Sequence, residues 1–386
     1  MDISLLLLLL LPVAAYSGWV GAQRVFAKKP PPSEQKFSPD YLQGLNYLLN
    51  EQPDKAVDIF IKLLTVDNDT VETHLTLGAV FRRRGEVNRA IRIHQNLIER
   101  QQLSQSQREQ AVVELGRDYF RAGLLDRAEC LYKELTQSRN FKVYACQQLL
   151  KIYQQEQDWQ QAIEITLTLE KNSLDDFKPM MAQFYCELAE IQRKLGNTVQ
   201  TKDLLNQALR MDSNCVRANL ILGWLAVSQQ QFSVAIEFLH QVERQNPYYL
   251  TEIIKPLHLS YVALNQPVAF IDYLNKIVKK HGELVPIQPL VQFIKEQDGN
   301  SSALQFVTKR LKQHPSLQAM DYFLNLTLLQ PHHQCEDNLN LLQKTTLALL
   351  KNQPNYQCES CGFSGKTLHW QCPRCKQWNM VKPLLN

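Results

Sequence analysis

The stretch His74-Leu-Thr-Leu-Gly78-Ala-Val-Phe81-Arg-Arg-Arg-Gly-Glu-Val-Asn-Arg-Ala90-Ile-Arg-Ile-His-Gln-Asn-Leu97 places a glycine, an aromatic, an alanine and a leucine at positions that recur along the chain. Gly44 and Gly78 lie 34 residues apart, as do Tyr47 and Phe81, Ala56 and Ala90, and Leu63 and Leu97. After a four-residue insertion Gly116, Tyr119, Ala128, Tyr132 and Leu135 restate the pattern, and Ala162 follows Ala128 by 34. Further on, Ala189 and Gly223 keep the interval, Thr201 and Ala235 do likewise, and Pro247 closes that unit. A period of about 34 residues with small side chains at two fixed places is what stacked helical hairpins require. A Gly or Ala in the first helix, and an Ala in the second, let the two touch; larger side chains would hold them apart. Tyr47, Phe60, Phe81, Tyr119, Tyr132 and Tyr153 recur at helical spacing and fill the space between units.

This pattern resembles the tetratricopeptide repeat family over residues 38–247, where six units are readable. The resemblance implies an all-α fold, a right-handed α-solenoid superhelix. Past it, Ala269 and Ala303 hold the interval and Pro315 falls where a unit should end, but Leu257 and Val291 no longer match. Residues 248–352 therefore read as degenerate helical repeats continuing the superhelix. Composition agrees: 13 glycines in 386 residues disfavour Gly-rich nucleotide folds and turn-dense β folds, and 45 % hydrophobic with 21 % charged residues disfavours disorder.

The two ends differ from the middle. Residues 3–22 carry no charge, include seven consecutive leucines from position 5, and end near Trp19. Twenty helical residues at roughly 1.5 Å each span about 30 Å, the hydrocarbon thickness of a bilayer. A cleaved secretory signal would carry its positive charges first; here Asp2 precedes the run while Arg24, Lys28 and Lys29 follow it. Residues 1–22 thus read as a transmembrane anchor, and the positive-inside rule puts the remainder in the cytoplasm, the bulk of a single-pass inner-membrane protein. Residues 23–37, with Pro30, Pro31 and Pro32, read as a stiff linker. Net charge is +4 overall, but the termini hold the excess: +2 over 1–36, +4 over 351–386, and −2 between. A generally basic nucleic-acid binder is not indicated.

The nine cysteines form two populations. Cys130, Cys146, Cys186, Cys215 and Cys335 are scattered through helical segments and read as small hydrophobes in a reducing compartment. Cys358, Cys361, Cys372 and Cys375 form two Cys-x2-Cys pairs with ten residues between them, in a tail spanning 353–386. Each pair turns two thiolates toward one ion, and two facing pairs close a tetrahedron with no open position for substrate. The surrounding Cys358-Glu-Ser-Cys361-Gly362-Phe363 and Trp370-Gln371-Cys372-Pro373-Arg374-Cys375 resemble the paired knuckles of rubredoxin-like and zinc-ribbon domains. One metal ion is expected: zinc is preferred on physical grounds, since so short a tail needs a staple without redox liability, while iron stays open. Dithiol redox chemistry fits two matched pairs poorly.

No phosphate-loop, dinucleotide, nucleophile-elbow or metalloprotease motif occurs, and the nine histidines are dispersed. Pro331 makes His332, His333 and Cys335 an exposed turn rather than a chelate. The tail's Lys366, Trp370, Arg374, Lys376, Trp378 and Lys382 could serve RNA or DNA, but Phe363, Trp370 and Trp378 are better used as a mini-core or to dock the knuckle on the repeats. Arg82, Arg83, Arg117 and Arg121, in first helices of neighbouring repeats, suit an acidic partner segment in the groove, against a reading as ordinary solvated helix charge.

Taken whole, the chain resembles the lipopolysaccharide assembly protein B family. The match is carried by Leu11-Pro-Val-Ala-Ala15, His74-Leu-Thr-Leu-Gly78, Arg84-Gly-Glu-Val87, Arg89-Ala-Ile-Arg-Ile-His-Gln95, Leu115-Gly-Arg-Asp-Tyr119, Phe184-Tyr-Cys-Glu-Leu-Ala189 and the four tail cysteines. The resemblance implies a non-catalytic inner-membrane adaptor. It presents the deacetylase LpxC to the membrane protease FtsH, under restraint from a membrane-embedded regulator, and Cys358, Cys361, Cys372 and Cys375 hold its metal. A homo-oligomer is compatible with it. Rival readings are a general membrane-tethered scaffold or chaperone-like adaptor for envelope proteins, and a redox or nucleic-acid role for the tail.

Overall fold

Close approach between helices is visible at three of the hairpin glycines. A methyl group built on Gly78 would sit 2.4 Å from the His94 ring, one on Gly116 2.8 Å from the Tyr132 ring, and one on Gly223 2.6 Å from Leu239. In each case the partner lies sixteen residues on, in the second helix of the same hairpin. Ala90, Ala128, Ala162, Thr201 and Ala235, the small second-helix positions, are fully buried. The computed structural model describes residues 71–384 except 101–102, 173, 282–286 and 330–335, together with positions 16, 19, 42–44, 46, 47, 55, 56 and 59. The linker 23–37, Phe60, Leu63 and the His332, His333, Cys335 turn lie outside these residues. So does the apolar run 3–22 apart from Tyr16 and Trp19, both helical. Among the described residues no helix is long and apolar enough to cross a membrane.

The chain divides into two units, Met1–Ala145 and Cys146–Asn386. In the first, α1 (Val71–Arg83) pairs with α2 (Val87–Ile98), and α3 (Gln105–Arg121) with α4 (Leu125–Leu135). Ser104 opens α3 with a reciprocal cap: its hydroxyl accepts from the Gln107 N–H, and the Gln107 side chain accepts from the Ser104 N–H. Tyr47 and Phe81 share one apolar cluster with Ala56, Leu77, Ala90 and Ile93, so the recurring aromatic does fill the space between hairpins.

The second unit holds most of α5 (Lys142–Glu156), then α6 (Trp159–Asn172), α7 (Lys178–Lys194), α8 (Thr198–Met211), α9 (Val216–Ser228) and α10 (Phe232–Gln245). A 3-10 turn (Pro247–Tyr249) leads to α11 (Leu250–Ala263), α12 (Pro267–His281), α13 (Ile287–Gln313), α14 (Leu317–Leu328) and α15 (Glu336–Asn352). Helix α9 is buried nearly all round, packed by α7, α8, α10 and α11. Strands β1 (Tyr356–Cys358), β2 (Ser364–Gly365) and β3 (Val381–Pro383) follow as an antiparallel sheet in the order β2-β1-β3.

Six described hairpins turn through one residue in the left-handed region: Gly85, Gly123, Gln157, Gly196, Gln230 and Asn265 all have φ between 56° and 86°. The next N–H reaches back five residues to close the helix: Glu86 to the Phe81 carbonyl, Leu124 to Tyr119, Asp158 to Tyr153, Asn197 to Gln192, Gln231 to Ala226 and Gln266 to Tyr261, at 2.9–3.0 Å. Gly299, 34 residues after Asn265, also has a positive φ of 80° but an extended ψ of 176°, and it kinks α13 rather than closing a helix by the same bond. The turn thus keeps the interval into 248–352, where the small-residue pattern fades.

Non-glycine residues pay roughly 1–2 kcal/mol in this conformation. Gly196→Ala should therefore lower stability by about 1 kcal/mol, while Gln157→Gly and Gln230→Gly raise it by about 0.5 kcal/mol after the glycine's extra unfolded freedom is set against the relief. Urea midpoints followed by far-UV circular dichroism check the opposite signs.

Candidate metal centre

Two copies of one short loop build the tail. The Cys358 N–H donates to the Phe363 carbonyl (2.7 Å) and the Gly362 N–H to the Cys358 carbonyl (2.9 Å). Fourteen residues on, the Cys372 N–H donates to the Gln377 carbonyl and the Lys376 N–H to the Cys372 carbonyl, both at 2.9 Å. Gly362 and Lys376 occupy the same left-handed position after the second cysteine of each pair, φ 71° and 60°. Each loop thereby turns its two thiols to one side, and the β1–β3 pairing sets the loops face to face.

The four Sγ atoms lie within 4.8 Å of one another, the one such cluster of metal-ligating groups among the described residues. Cys358 and Cys375 approach to 3.7 Å, Cys361 and Cys372 to 3.6 Å. A tetrahedron with metal–sulfur bonds of about 2.3 Å has edges of about 3.8 Å. The thiols are thus spaced for a shared ion, and far beyond the roughly 2.05 Å of a disulfide. Four thiols so close do not ionise alike. Burial opposes the Cys372 thiolate, yet the N–H groups of Cys375 and Arg374 pull that thiol down to about 7. The Phe363 N–H favours the Cys361 thiolate, but burial and the neighbouring thiols push it up to about 11. A bound dication removes the conflict by taking all four as thiolates and cross-linking the loops. The donor set suits zinc and iron alike.

The tail is seated on the second unit through its aromatic residues. Trp378 stands edge-on to Trp159 and Phe184, ring centres 5.9 and 5.8 Å away, while those two rings stack at 5.8 Å. The Trp378 indole N–H and the Gln371 amide both donate to Gln154 Oε1, at 3.1 and 3.0 Å. Trp370 stacks on Tyr249 at 5.3 Å, and the Arg217 guanidinium lies over the Trp370 ring at 5.7 Å. Arg217 is itself paired to Glu187 at 2.8 Å. The Tyr249 hydroxyl donates to the Val381 carbonyl, and the Tyr356 hydroxyl to Glu252 at 2.6 Å. Lys382 lies 5.2 Å over the Tyr249 ring, and burial lowers its ammonium pKa. Phe363 goes elsewhere: it joins Cys358, Cys372 and Val381 in the small core of the knuckle itself, against His369. Trp370 and Trp378 are therefore docking residues and Phe363 a mini-core residue. Nothing in the primary structure marks Gln154, Arg217 or Glu252 as their partners, which lie 217 residues away in the case of Gln154 and Gln371.

The four arginines fall into two kinds. Arg82 bridges α1 to α3, donating to Asp118 at 2.7 Å and Glu114 at 2.6 Å; Asp118 is fully buried and also meets buried His94. Arg117 donates to Glu114 and to the Tyr144 hydroxyl, whose ring it covers at 4.9 Å. Arg83 and Arg121 are exposed. Of the scattered cysteines, Cys146, Cys186 and Cys215 are buried as read from sequence; Cys130 is exposed and departs from that reading.

The rubredoxin metal binding domain family matches residues 356–383. Lipopolysaccharide assembly protein B of Escherichia coli K12 is 37 % identical over 383 residues, 98 % of each chain. Its namesake in Haemophilus influenzae is 35 % identical over 395 residues, 99 % of this chain and 98 % of that one. A tetratricopeptide repeat protein of Parabacteroides merdae aligns with 72 % of this chain and all of its own, at 12 % identity and a TM-score of 0.32.

Changing any one of Cys358, Cys361, Cys372 or Cys375 to serine should abolish metal stoichiometry and unfold the tail, read by metal analysis and by proteolysis near residue 353. Trp378→Ala should instead keep the metal while loosening the seat, so that cleavage near 353 accelerates without metal loss. Arg82→Ala should cost about 3 kcal/mol by taking the guanidinium from buried Asp118, which then keeps only His94, and from Glu114, whereas Arg83→Ala and Arg121→Ala should change stability by less than about 0.5 kcal/mol. Loss of partner binding by the last two, with unchanged urea midpoints, would mark them as contact residues.

Proposed function

The chain belongs to the lipopolysaccharide assembly protein B family, and on that premise we propose that it is a non-catalytic inner-membrane adaptor. It limits lipopolysaccharide synthesis by presenting the deacetylase LpxC to the membrane protease FtsH, and a membrane-embedded regulator of the same pathway restrains it. The observation that carries this reading is full-length identity to named lipopolysaccharide assembly proteins, at 37 % across helical repeats and metal tail together. The apolar run 3–22 with Arg24, Lys28 and Lys29 after it supports a single-pass anchor with the bulk in the cytoplasm.

An adaptor needs no chemistry of its own, since tethering two macromolecules raises the effective concentration of one near the other. The chain's residues supply what such a role demands. Gly78, Gly116 and Gly223 let the hairpins close. Exposed Arg83 and Arg121, with Arg117 held against Tyr144, present guanidinium groups suited to carboxylates on a partner. Cys358, Cys361, Cys372 and Cys375 hold one metal ion, whose cross-link keeps the tail folded on the repeats.

Depleting the protein should lengthen the lifetime of LpxC several-fold at unchanged synthesis, measured by pulse-chase in cells. Deleting residues 1–22 should leave a soluble repeat domain that no longer lowers the deacetylase. A truncated protein as effective as the full chain would show that proximity to the membrane is not the mechanism.

A further inference from the structure

Away from the tail, two thiols meet inside the second unit. Cys186, within α7, and Cys215, at the start of α9, bring their Sγ atoms to 3.8 Å from two successive hairpins. Both are buried among small and aliphatic side chains, including Ala182, Ala218 and Leu222. Packing alone explains two small residues there, but it does not explain the polar groups aimed at one sulfur. Cys215 is the N-cap of α9, a position whose free N–H groups favour an anion, although its side chain makes no capping hydrogen bond there. The Gln183 amide, itself buried, donates to the same Sγ from 3.4 Å. Cys186 supplies a second hydrogen bond and Arg217 a nearby positive charge. Together these hold the Cys215 thiol below its ordinary value, chiefly through Cys186, while burial drives the Cys186 thiol up. A helix N-terminus beside an arginine is the setting in which cysteines become nucleophiles. Cys215, itself buried, directly follows exposed Ser213 and Asn214 in the chain.

We propose that Cys215 is a peroxide-reactive thiol and Cys186 its resolving partner, so that oxidation cross-links α7 to α9. The Cys215 thiolate attacks one peroxide oxygen; the O–O bond breaks, and the departing hydroxide takes the proton Cys215 gave up to become water. The sulfenic acid left on Cys215 is then attacked by the Cys186 sulfur. An S–S bond forms, the S–O bond breaks, and the hydroxyl leaves with the Cys186 proton as a second water. Two thiols lose two electrons and the peroxide gains them. The bridge lies under the seat of the tail, because α7 carries Phe184 and Glu187 and α9 carries Arg217, the residues that meet or support Trp378 and Trp370.

The test is peptide mapping by mass spectrometry, without reductant, of the full chain carrying its native metal after one equivalent of hydrogen peroxide. A Cys186–Cys215 linked peptide that dithiothreitol removes, at unchanged metal stoichiometry, is the expected result. With dimedone present, Cys186→Ala should trap sulfenic acid on Cys215 about tenfold more than Cys215→Ala traps it on Cys186. Oxidation confined to exposed Cys130 or to the four tail cysteines, with 186 and 215 still free thiols, would overturn the proposal. Equal labelling in the two variants would overturn the assignment of Cys215 as the attacking thiol. The wild-type map decides the matter by itself should either variant fail to fold.

Discussion

Contact at van der Waals distance between the two helices of a hairpin is the condition from which the helical architecture follows. Gly78 against His94, Gly116 against Tyr132 and Gly223 against Leu239 leave no room for even a methyl group. With the hairpin closed, larger side chains turn toward a neighbouring hairpin, as Phe81 does beside Tyr47 and Ala56 and Phe184 does against Trp159, and both are almost wholly buried. The left-handed turn residue then returns the chain after a constant number of residues. Small residue, turn and aromatic are three parts of one geometric requirement, and any of them can weaken locally where the other two hold. Around Asn265 the small positions fade, yet the turn persists.

The tail follows a different logic. Its sheet has strands of two or three residues and a core of little more than Cys358, Cys372 and Val381 with Phe363 beside them. Such a module cannot bury enough apolar surface to order itself. Two devices make up the deficit: a donor set fit for one ion inside, and a seat of tryptophans and hydrogen bonds outside. They are chemically independent, since no seat residue is a ligand, but they are coupled through Trp370 and Gln371, which immediately precede Cys372. Lys376 accepts a left-handed conformation there because its N–H and the facing carbonyl of Cys372 close the loop.

Local features were legible in the sequence and distant pairings were not. The 34-residue interval exposed the hairpins because a small side chain is needed at each closure, and the spacing of Cys358, Cys361, Cys372 and Cys375 exposed the metal centre because two thiols per turn is a short-range requirement. Tryptophans in a basic tail pointed to docking, but the acceptor at Gln154 and the ring at Phe184 have no local signature. The turns at Gln157 and Gln230 were invisible for another reason: glutamine is not a residue that announces a left-handed φ, and tertiary packing imposes it. Arg82 read as a groove charge for an acidic partner or as ordinary solvated helix charge, and only the placement of Asp118 on α3 reveals its ion pair within the fold.

Repeat solenoids behave mechanically like springs, because small rotations between adjacent hairpins add along the stack. The seat of the tail touches α5 through Gln154, α7 through Phe184, α9 through Arg217 and α11 through Glu252. A strut bolted at four such points blocks the relative rotations that bending needs. That span should therefore transmit force as a stiff beam, with compliance displaced to hairpins the strut does not reach.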